Sequence, residues 1–323
     1  MTDAPVSARR TWMFAQAPID ETALFAAAAP LAAALPGARP DAACMATWTR
    51  DHGIDTASAA AVLALRAEPA TAALRQRMQA APAGTRPESV RFHLRIVPAM
   101  FHRERPELGG DGGLAMSIAE RLGVPAALVP VRSLGTVDAN AAIIRDHLRA
   151  EPEPVIWLTH SKATPDTVAA LVAEPALAQR IALWISVGGS PGGSLWMEPG
   201  IGSPLAHLVR RIWLRVRGGD AGLLEGLRPS VARPRLARLP PVPAISLVAV
   251  PARHHLRRPV DRSFAQLAEH GPNDGFVLLA DACLPGPVVP LWGADHFLRT
   301  HDVPPALDRL ISLASSLGGD LCA

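Results

Sequence analysis

The sequence predicts an α/β fold in which helices flank both faces of a mostly parallel sheet. Short apolar runs rich in β-branched residues alternate with longer helical segments from about residue 90 onward. This alternation is typical of parallel sheets, because each crossover helix packs back onto the sheet it leaves. The 323 residues, 49% of them hydrophobic, suffice to bury a large core.

Residues 1–85 are predicted to form a helical extension before this sheet. Segments rich in Ala and Leu cover Glu21–Leu35 and Ser58–Ala80, and this part of the sequence has no strand-like run. Two prolines and a glycine within residues 81–87 mark the change of pattern. The predicted division is therefore 1–85 for the extension and 86–323 for the sheet domain.

The strands and helices of the sheet domain follow in order. Strands are predicted over Phe92–Val97, Ala126–Val131, Val155–Leu158, Ile181–Val187, Ile245–Val250, Phe276–Leu279 and Val288–Leu291. Helices are predicted over Gly112–Leu122, Asp138–Arg149 and from just after Ser161 through Val172. Thr136 is placed to cap the second helix. Pro290 weakens the last strand, because proline cannot donate to a strand ladder.

Residues 195–241 are predicted to be a helical cap or lid insertion, because this Arg-rich interval contains no clear strand. Its first half has apolar residues near helical spacing, namely Leu205, Leu208, Val209, Ile212, Trp213 and Val216. A helix of this kind covers an apolar pocket, or it packs permanently on the core. The sequence leaves both arrangements open.

Composition argues against several classes of partner. The net charge is only +3, and no Arg-rich helix interleaved with aromatic residues indicates nucleic-acid binding. No run approaches the roughly 18 apolar residues of a spanning helix. The segment 23–35 follows Asp20 and Glu21 rather than the basic residues of a secretory signal. We therefore expect a cytoplasmic protein without stable membrane insertion, and its oligomeric state stays open.

The three cysteines, Cys44, Cys283 and Cys322, are scattered and form no CxxC pair. They indicate neither a disulfide framework nor a zinc site, and they fit a reducing compartment. The chemistry described below also needs no metal or organic cofactor, so none is expected.

Ser161 lies in the segment that is most informative about chemistry. An apolar strand runs into Thr-His-Ser-Lys-Ala, and a helix begins at once. This is the strand–turn–helix context of a nucleophile elbow, whose flanking positions two residues away are normally glycine. Ala163 fits that requirement, whereas Thr159 is bulkier than the pattern allows. The alternative is that Ser161 only caps the helix.

Two later segments supply an acid and a base. Asp274 lies in an Asn-Asp-Gly turn, and His296 follows the last apolar strand. In this order, His296 would accept the Ser161 proton and Asp274 would orient the imidazole. The reserve acids and the competing histidines are Asp281, Asp295, His160, His254, His255, His270 and His301. The pair at 254–255 is expected in a solvated loop, with neighbouring arginines that disfavour a metal ion.

These motifs resemble the α/β-hydrolase superfamily, and within it the bacterial triacylglycerol lipase and carboxylesterase branch, over about residues 90–300. In that branch an Asn-Asp-Gly turn carries the acid and a Gly-x-Asp-His-like loop the base. The small-residue loop 188–194 is also similar. The resemblance implies a serine hydrolase acting on a small-molecule or lipid-like acyl ester. A thioesterase or acyltransferase with the same triad, or a non-catalytic binding or scaffold protein, stays open.

An acyl-transfer enzyme also needs backbone N–H groups that stabilise an oxyanion. One is expected from Lys162, which follows the proposed nucleophile, and the other from Ala99 or Met100 after the first strand. The His-Gly motif of many hydrolases is missing there. Lys162 is the only lysine, and we expect its side chain to be partly buried against a carboxylate or carbonyl groups, since arginine differs in size and hydration.

Overall fold

A computed structural model describes residues 20–81, 83–199, 201, 208, 212, 214–220, 222–258 and 260–322. A six-stranded sheet lies at its centre, with strands in the order β2-β1-β3-β4-β5-β6 and every neighbouring pair parallel. The strands are β1 Leu94–Val97, β2 Ala126–Leu128, β3 Val155–His160, β4 Ile181–Val187, β5 Ala244–Val250 and β6 Val288–Trp292. Their carboxyl ends share one edge of the sheet, so the loops after β3, β5 and β6 meet there.

The central strands are apolar throughout because both faces of the sheet are covered. Every residue of β3 and of β5 is buried. The last strand, β6, forms despite Pro290, which pairs in register with Val248. Because β6 is an edge strand, the missing N–H of a proline costs no hydrogen bond to a further strand.

Helices flank the sheet and are labelled here in chain order. They are α1 Glu21–Ala33, α2 Ala42–His52, α3 Ile54–Ala67, α4 Pro69–Ala80, α5 Gly113–Leu122, α6 Val137–Ala150, α7 Ala163–Ala173, α8 Gly222–Gly226, α9 Pro229–Leu236, α10 Val260–Leu267 and α11 Val303–Leu317. Thr136 caps α6 as predicted, with its Oγ1 accepting the Ala139 N–H. Gly123 ends α5 in the left-handed region at φ +74°.

Alternate residues of each strand face opposite helical layers. One face, which includes Ile156 and Leu158, packs against α5, α11 and α4. The other face, which includes Trp157, packs against α6 and α7. Over β5 and β6 this second layer is supplied by α1–α3, since Val248 and Val250 share a buried cluster with residues of those helices. The N-terminal helices therefore cover the sheet, and the domain boundary at residue 85 stays a prediction.

One strand prediction was wrong. Residues 276–279 do not form a strand, because the Asp274 carboxylate takes the N–H groups of Phe276 and Val277 that a ladder would need. Instead an isolated bridge joins Asn273 to Leu278. The Ala- and Leu-rich segment Ser58–Ala80 is helical, and it is divided between α3 and α4 because Pro69 begins a new helix after a break at Glu68.

The predicted cap interval, 195–241, contains a short 3₁₀ turn at Leu195–Met197 and the helices α8 and α9. Within it Leu205, Val209 and Trp213 lie outside the described residues. Leu208, Ile212 and Val216 are each more than half exposed, whereas Leu214, Leu223 and Leu224 are buried. Among the described residues, no helix combines the length and the hydropathy that a membrane span requires.

Candidate active site

Ser161 lies in a strained turn between β3 and α7. Its φ is +48°, in the left-handed region that side chains other than glycine seldom adopt. The N–H of Ser161 donates to the Val187 carbonyl at the end of β4, which anchors the turn to the sheet. In the described part of the chain, the other non-glycine residues with positive φ are Phe101 and Leu298. Such strain persists only where surrounding contacts over-determine the backbone.

Thr159 replaces the usual glycine because a buried polar pocket accepts its hydroxyl group. The Trp184 indole N–H donates to Thr159 Oγ1 at 2.9 Å, and Thr164 Oγ1 lies 2.9 Å from the same atom. Thr164 in turn contacts Ser186 Oγ at 3.0 Å. A Cβ at Gly189 would lie 2.1 Å from that Ser186 oxygen. The absence of a side chain at Gly189 therefore leaves room for these hydroxyl groups.

The side chains of Ser161, His296 and Asp274 meet at the carboxyl edge of the sheet. Ser161 Oγ lies 2.9 Å from His296 Nε2, and His296 Nδ1 lies 2.7 Å from Asp274 Oδ2. A carboxylate accepts but does not donate, so Nδ1 carries the imidazole proton and Nε2 is left to accept from Ser161. The arrangement therefore allows Nε2 to act as a general base toward the hydroxyl group.

The loop after β5 fixes the Asp274 carboxylate. Its Oδ1 accepts the N–H groups of Phe276 at 2.9 Å and Val277 at 2.8 Å, and its carbonyl accepts the His296 N–H at 2.9 Å. Asp274 is only 4% exposed. Its Oδ2 is therefore directed at the imidazole, and the loops after β5 and β6 are joined by their backbones.

The pKa of His296 is raised above its ordinary value. Burial by itself lowers this pKa, but the Asp274 charge and hydrogen bond, together with the charge of Asp295, outweigh burial and raise it. An imidazole can act as a general base only while it is neutral, so a raised pKa moves the loss of that capacity to higher pH.

We expect kcat/KM of a reaction that uses His296 as a general base to fall on acidification, with a midpoint above the ordinary imidazole value of about 6.5. Asp295→Asn removes one charge that stabilises the imidazolium, so the midpoint should move to lower pH. The pH profiles of the wild type and this variant, measured in the same buffers, check the expectation. A midpoint that is unchanged or moves upward would contradict it.

Two of the backbone N–H groups predicted to stabilise an oxyanion are left without another acceptor among the described residues. Those of Lys162 and Met100 donate to no other group within the described part of the chain. Ala99 does not qualify, because its N–H donates to the Gly110 carbonyl at 2.7 Å. Of the two residues predicted after β1, only Met100 therefore stays a candidate.

The expected burial of the Lys162 side chain is confirmed. It is 3% exposed, and its Nζ lies 2.7 Å from both carboxylate oxygens of Asp166 in the first turn of α7. Burial raises the pKa of Asp166, and the Lys162 charge opposes that rise. The contact is thus a buried ion pair at the start of α7, next to Ser161 in the chain.

The competing histidines and reserve acids have other environments. Burial lowers the pKa of His160 to about 4, and its Nε2 has no hydrogen-bond partner among the described residues. Asp281 binds the Arg233 guanidinium of α9 through two hydrogen bonds of 2.8 and 2.9 Å. Asp295 accepts the N–H of Phe297. None of these hydrogen bonds joins the group to Ser161 Oγ or to His296 Nδ1.

The pair His254–His255 is half-buried rather than solvated, since both rings bind Glu21 at the start of α1. Their Nε2 atoms lie 2.9 and 2.8 Å from Glu21 Oε1, and the Trp292 indole N–H lies 3.2 Å from the same oxygen. The ligand atoms are close enough to surround a metal ion. However, His255 Nδ1 accepts the Ala252 N–H, so Nε2 carries the ring proton and is not free to ligate.

Three aromatic side chains beside the imidazole were missed by the sequence analysis. Phe276 contacts the His296 ring edge-on at 5.2 Å between centroids, and Phe297 lies 6.1 Å from it. Trp196 packs edge-on against Phe276 at 5.3 Å. These half-buried rings form an apolar wall on one side of the base. The sequence signal was the position of each phenylalanine within two residues of the proposed acid or base.

Comparison with known proteins supports the fold. No family model matches the chain, and no curated protein matches it. Among solved structures, the metagenomic carboxyl esterase MGS0156 is 26% identical with a TM-score of 0.57, over 73% of this chain and 78% of that chain. The mature lipase BlEst2 from Bacillus licheniformis is 17% identical with a TM-score of 0.51, over 73% of this chain and 94% of that chain.

The parallel sheet, the turn at Ser161 and these likenesses together define an α/β-hydrolase fold. The chain resembles the lipase and carboxylesterase branch of that superfamily, in agreement with the resemblance drawn from its motifs.

Proposed function

We propose that this protein hydrolyses carboxylic esters through a covalent acyl group on Ser161. The observation that supports the proposal is the unbroken line of contacts from Ser161 Oγ through His296 to Asp274, with distances of 2.9 and 2.7 Å. The elbow conformation of Ser161 adds to it, because the strained turn exposes the hydroxyl group beyond the sheet edge.

In the first half-reaction His296 Nε2 takes the Ser161 proton as Oγ bonds to the ester carbonyl carbon. The carbonyl oxygen becomes an oxyanion, which the N–H groups of Lys162 and Met100 stabilise. The C–O bond to the alcohol then breaks, and the imidazolium returns its proton to the leaving oxygen. Asp274 stabilises the imidazolium while it exists.

In the second half-reaction His296 takes a proton from water as that water attacks the acyl carbon. The second oxyanion collapses, the bond to Ser161 Oγ breaks, and the proton returns to the serine. The carboxylic acid leaves and the free enzyme is restored. Every step uses side chains and backbone N–H groups of this chain.

The apolar wall favours an apolar substrate group next to the reacting carbon. When an apolar substrate group contacts Trp196, Phe276 and Phe297, apolar surface of both the substrate and the rings is removed from water. Each buried methylene adds about 0.8 kcal/mol of binding free energy. We therefore propose a small-molecule or lipid-like ester with an apolar acyl chain as the substrate.

A chain-length series of p-nitrophenyl esters, run beside acyl-CoA thioesters of the same acyl groups, tests this function. We expect turnover of the oxygen esters, with kcat/KM rising from the acetyl to the butyryl or hexanoyl ester. Faster turnover of the thioesters would assign a thioesterase instead. Failure of the folded wild type to turn over any ester would contradict the proposal and favour a binding or scaffold role.

A further inference from the structure

A chain of polar contacts joins the two segments that carry the backbone N–H groups proposed for the oxyanion hole. It begins at Lys162, whose Nζ donates to both oxygens of Asp166 at 2.7 Å. The two side chains are 3% and 2% exposed. A buried ion pair needs good geometry and further hydrogen bonds to offset the loss of hydration. Asp166 meets that need through a second donor, which gives its carboxylate a third hydrogen bond.

Asn140 of α6 is that donor, and it carries the connection to the loop after β2. Its Nδ2 donates to Asp166 Oδ2 at 2.8 Å and to the Arg132 carbonyl at 3.1 Å. Its Oδ1 accepts the Arg132 N–H at 3.0 Å. Asn140 is 2% exposed. Because both ends of its amide are engaged, Asn140 holds α7 and this loop at a fixed separation.

The same loop contacts the segment that contains Met100. The Ser133 carbonyl accepts the Phe101 N–H at 3.4 Å, and Ser133 Oγ accepts the Arg103 N–H at 3.4 Å. Phe101 has φ +66°, so the backbone just after Met100 is strained and must be held by its neighbours. The contacts therefore run without a break from the residue after the nucleophile to the residue after Met100.

We propose that this oxyanion network (Lys162, Asp166, Asn140, Arg132 and Ser133) sets the relative position of the Lys162 and Met100 N–H groups. Asp166 and Asn140 are then positioning residues for the oxyanion hole. The inference rests on the proposed ester hydrolysis. The oxyanion exists only in the tetrahedral states, so the network acts on kcat more than on KM.

The double variant Lys162→Met/Asp166→Leu tests the inference. Removing one partner leaves a buried charge alone, whereas replacing both with apolar residues of similar volume often preserves stability. We expect kcat for p-nitrophenyl butyrate to fall about 10- to 100-fold, as a displacement of about 1 Å can produce. KM should stay within about threefold. Affinity for an alkyl trifluoromethyl ketone, which forms a tetrahedral oxyanion adduct, should fall by the same factor as kcat.

Arg95→Met/Glu151→Leu is the matched control, because it makes the same exchange at another largely buried ion pair, away from the carboxyl edge of the sheet. It should keep the wild-type kcat. Asn140→Leu, which removes three hydrogen bonds at once, should repeat the fall in kcat and serves as the test if the double variant does not fold. The inference would be overturned if folded Lys162→Met/Asp166→Leu, or folded Asn140→Leu, kept the wild-type kcat and the wild-type affinity for the ketone. If the folded wild type itself showed no ester turnover, that result would instead overturn the proposed function.

Discussion

Replacing Ser161 with alanine is expected to lower kcat for ester hydrolysis by about 10⁴- to 10⁶-fold. The substitution removes the oxygen that carries the acyl group, and His296 Nε2 loses the hydroxyl group 2.9 Å away. The oxyanion donors and the apolar wall remain, so a small residual activity above that of water is expected. Initial rates with p-nitrophenyl butyrate under saturating substrate measure the change.

Ser315→Ala is the matched control for this substitution. Ser315 is fully buried on α11, and its hydroxyl group donates to the Ser312 carbonyl within the helix. Losing that hydroxyl group should leave the wild-type rate unchanged. Retention of more than about a tenth of the wild-type kcat in Ser161→Ala would contradict the assignment, because removal of a triad member costs orders of magnitude more.

Asp274→Asn is expected to lower kcat by about 10⁴-fold with little change in fold. An asparagine amide can present an N–H to His296 Nδ1, which moves the imidazole proton to Nε2. A protonated Nε2 does not accept the Ser161 proton. The measurement is kcat at a pH well above the acid limb, where the wild-type imidazole is neutral.

Asp295→Asn is the control for charge alone, since Asp295 also raises the pKa of His296 but contacts the Phe297 N–H rather than the imidazole. Its kcat on the high-pH plateau should stay within about threefold of the wild type, because the imidazole keeps its orienting bond. Equal losses in the two variants would show that net charge, and not the bond from Asp274 to His296, governs the reaction.

Much of the fold was predictable because parallel strands covered on both faces are continuous apolar runs. The strand Ile181–Val187 was predicted with the bounds that the structure has. The candidate site could be inferred from the chain order Ser161, Asp274, His296. Ser161 follows β3, His296 follows β6, and Asp274 lies in the connection between β5 and β6.

The rest depends on contacts between distant segments, which leave no periodic signal. The polar pocket that accepts Thr159 needs Trp184 from the next strand. The loop of Asp274 resembles a strand in composition, but side-chain hydrogen bonds to its own backbone give it a different course. Ala99 and Met100 were equivalent in the sequence, and only the Ala99 bond to Gly110 separates them.

Covalent labelling with a fluorophosphonate, followed by mass spectrometry of the digested protein, tests the central claim most directly. The proposed mechanism predicts a single stoichiometric adduct on Ser161, formed more slowly as His296 becomes protonated and absent from Ser161→Ala. A folded wild-type protein that stays unmodified, or that carries its adduct on another residue, would contradict the claim.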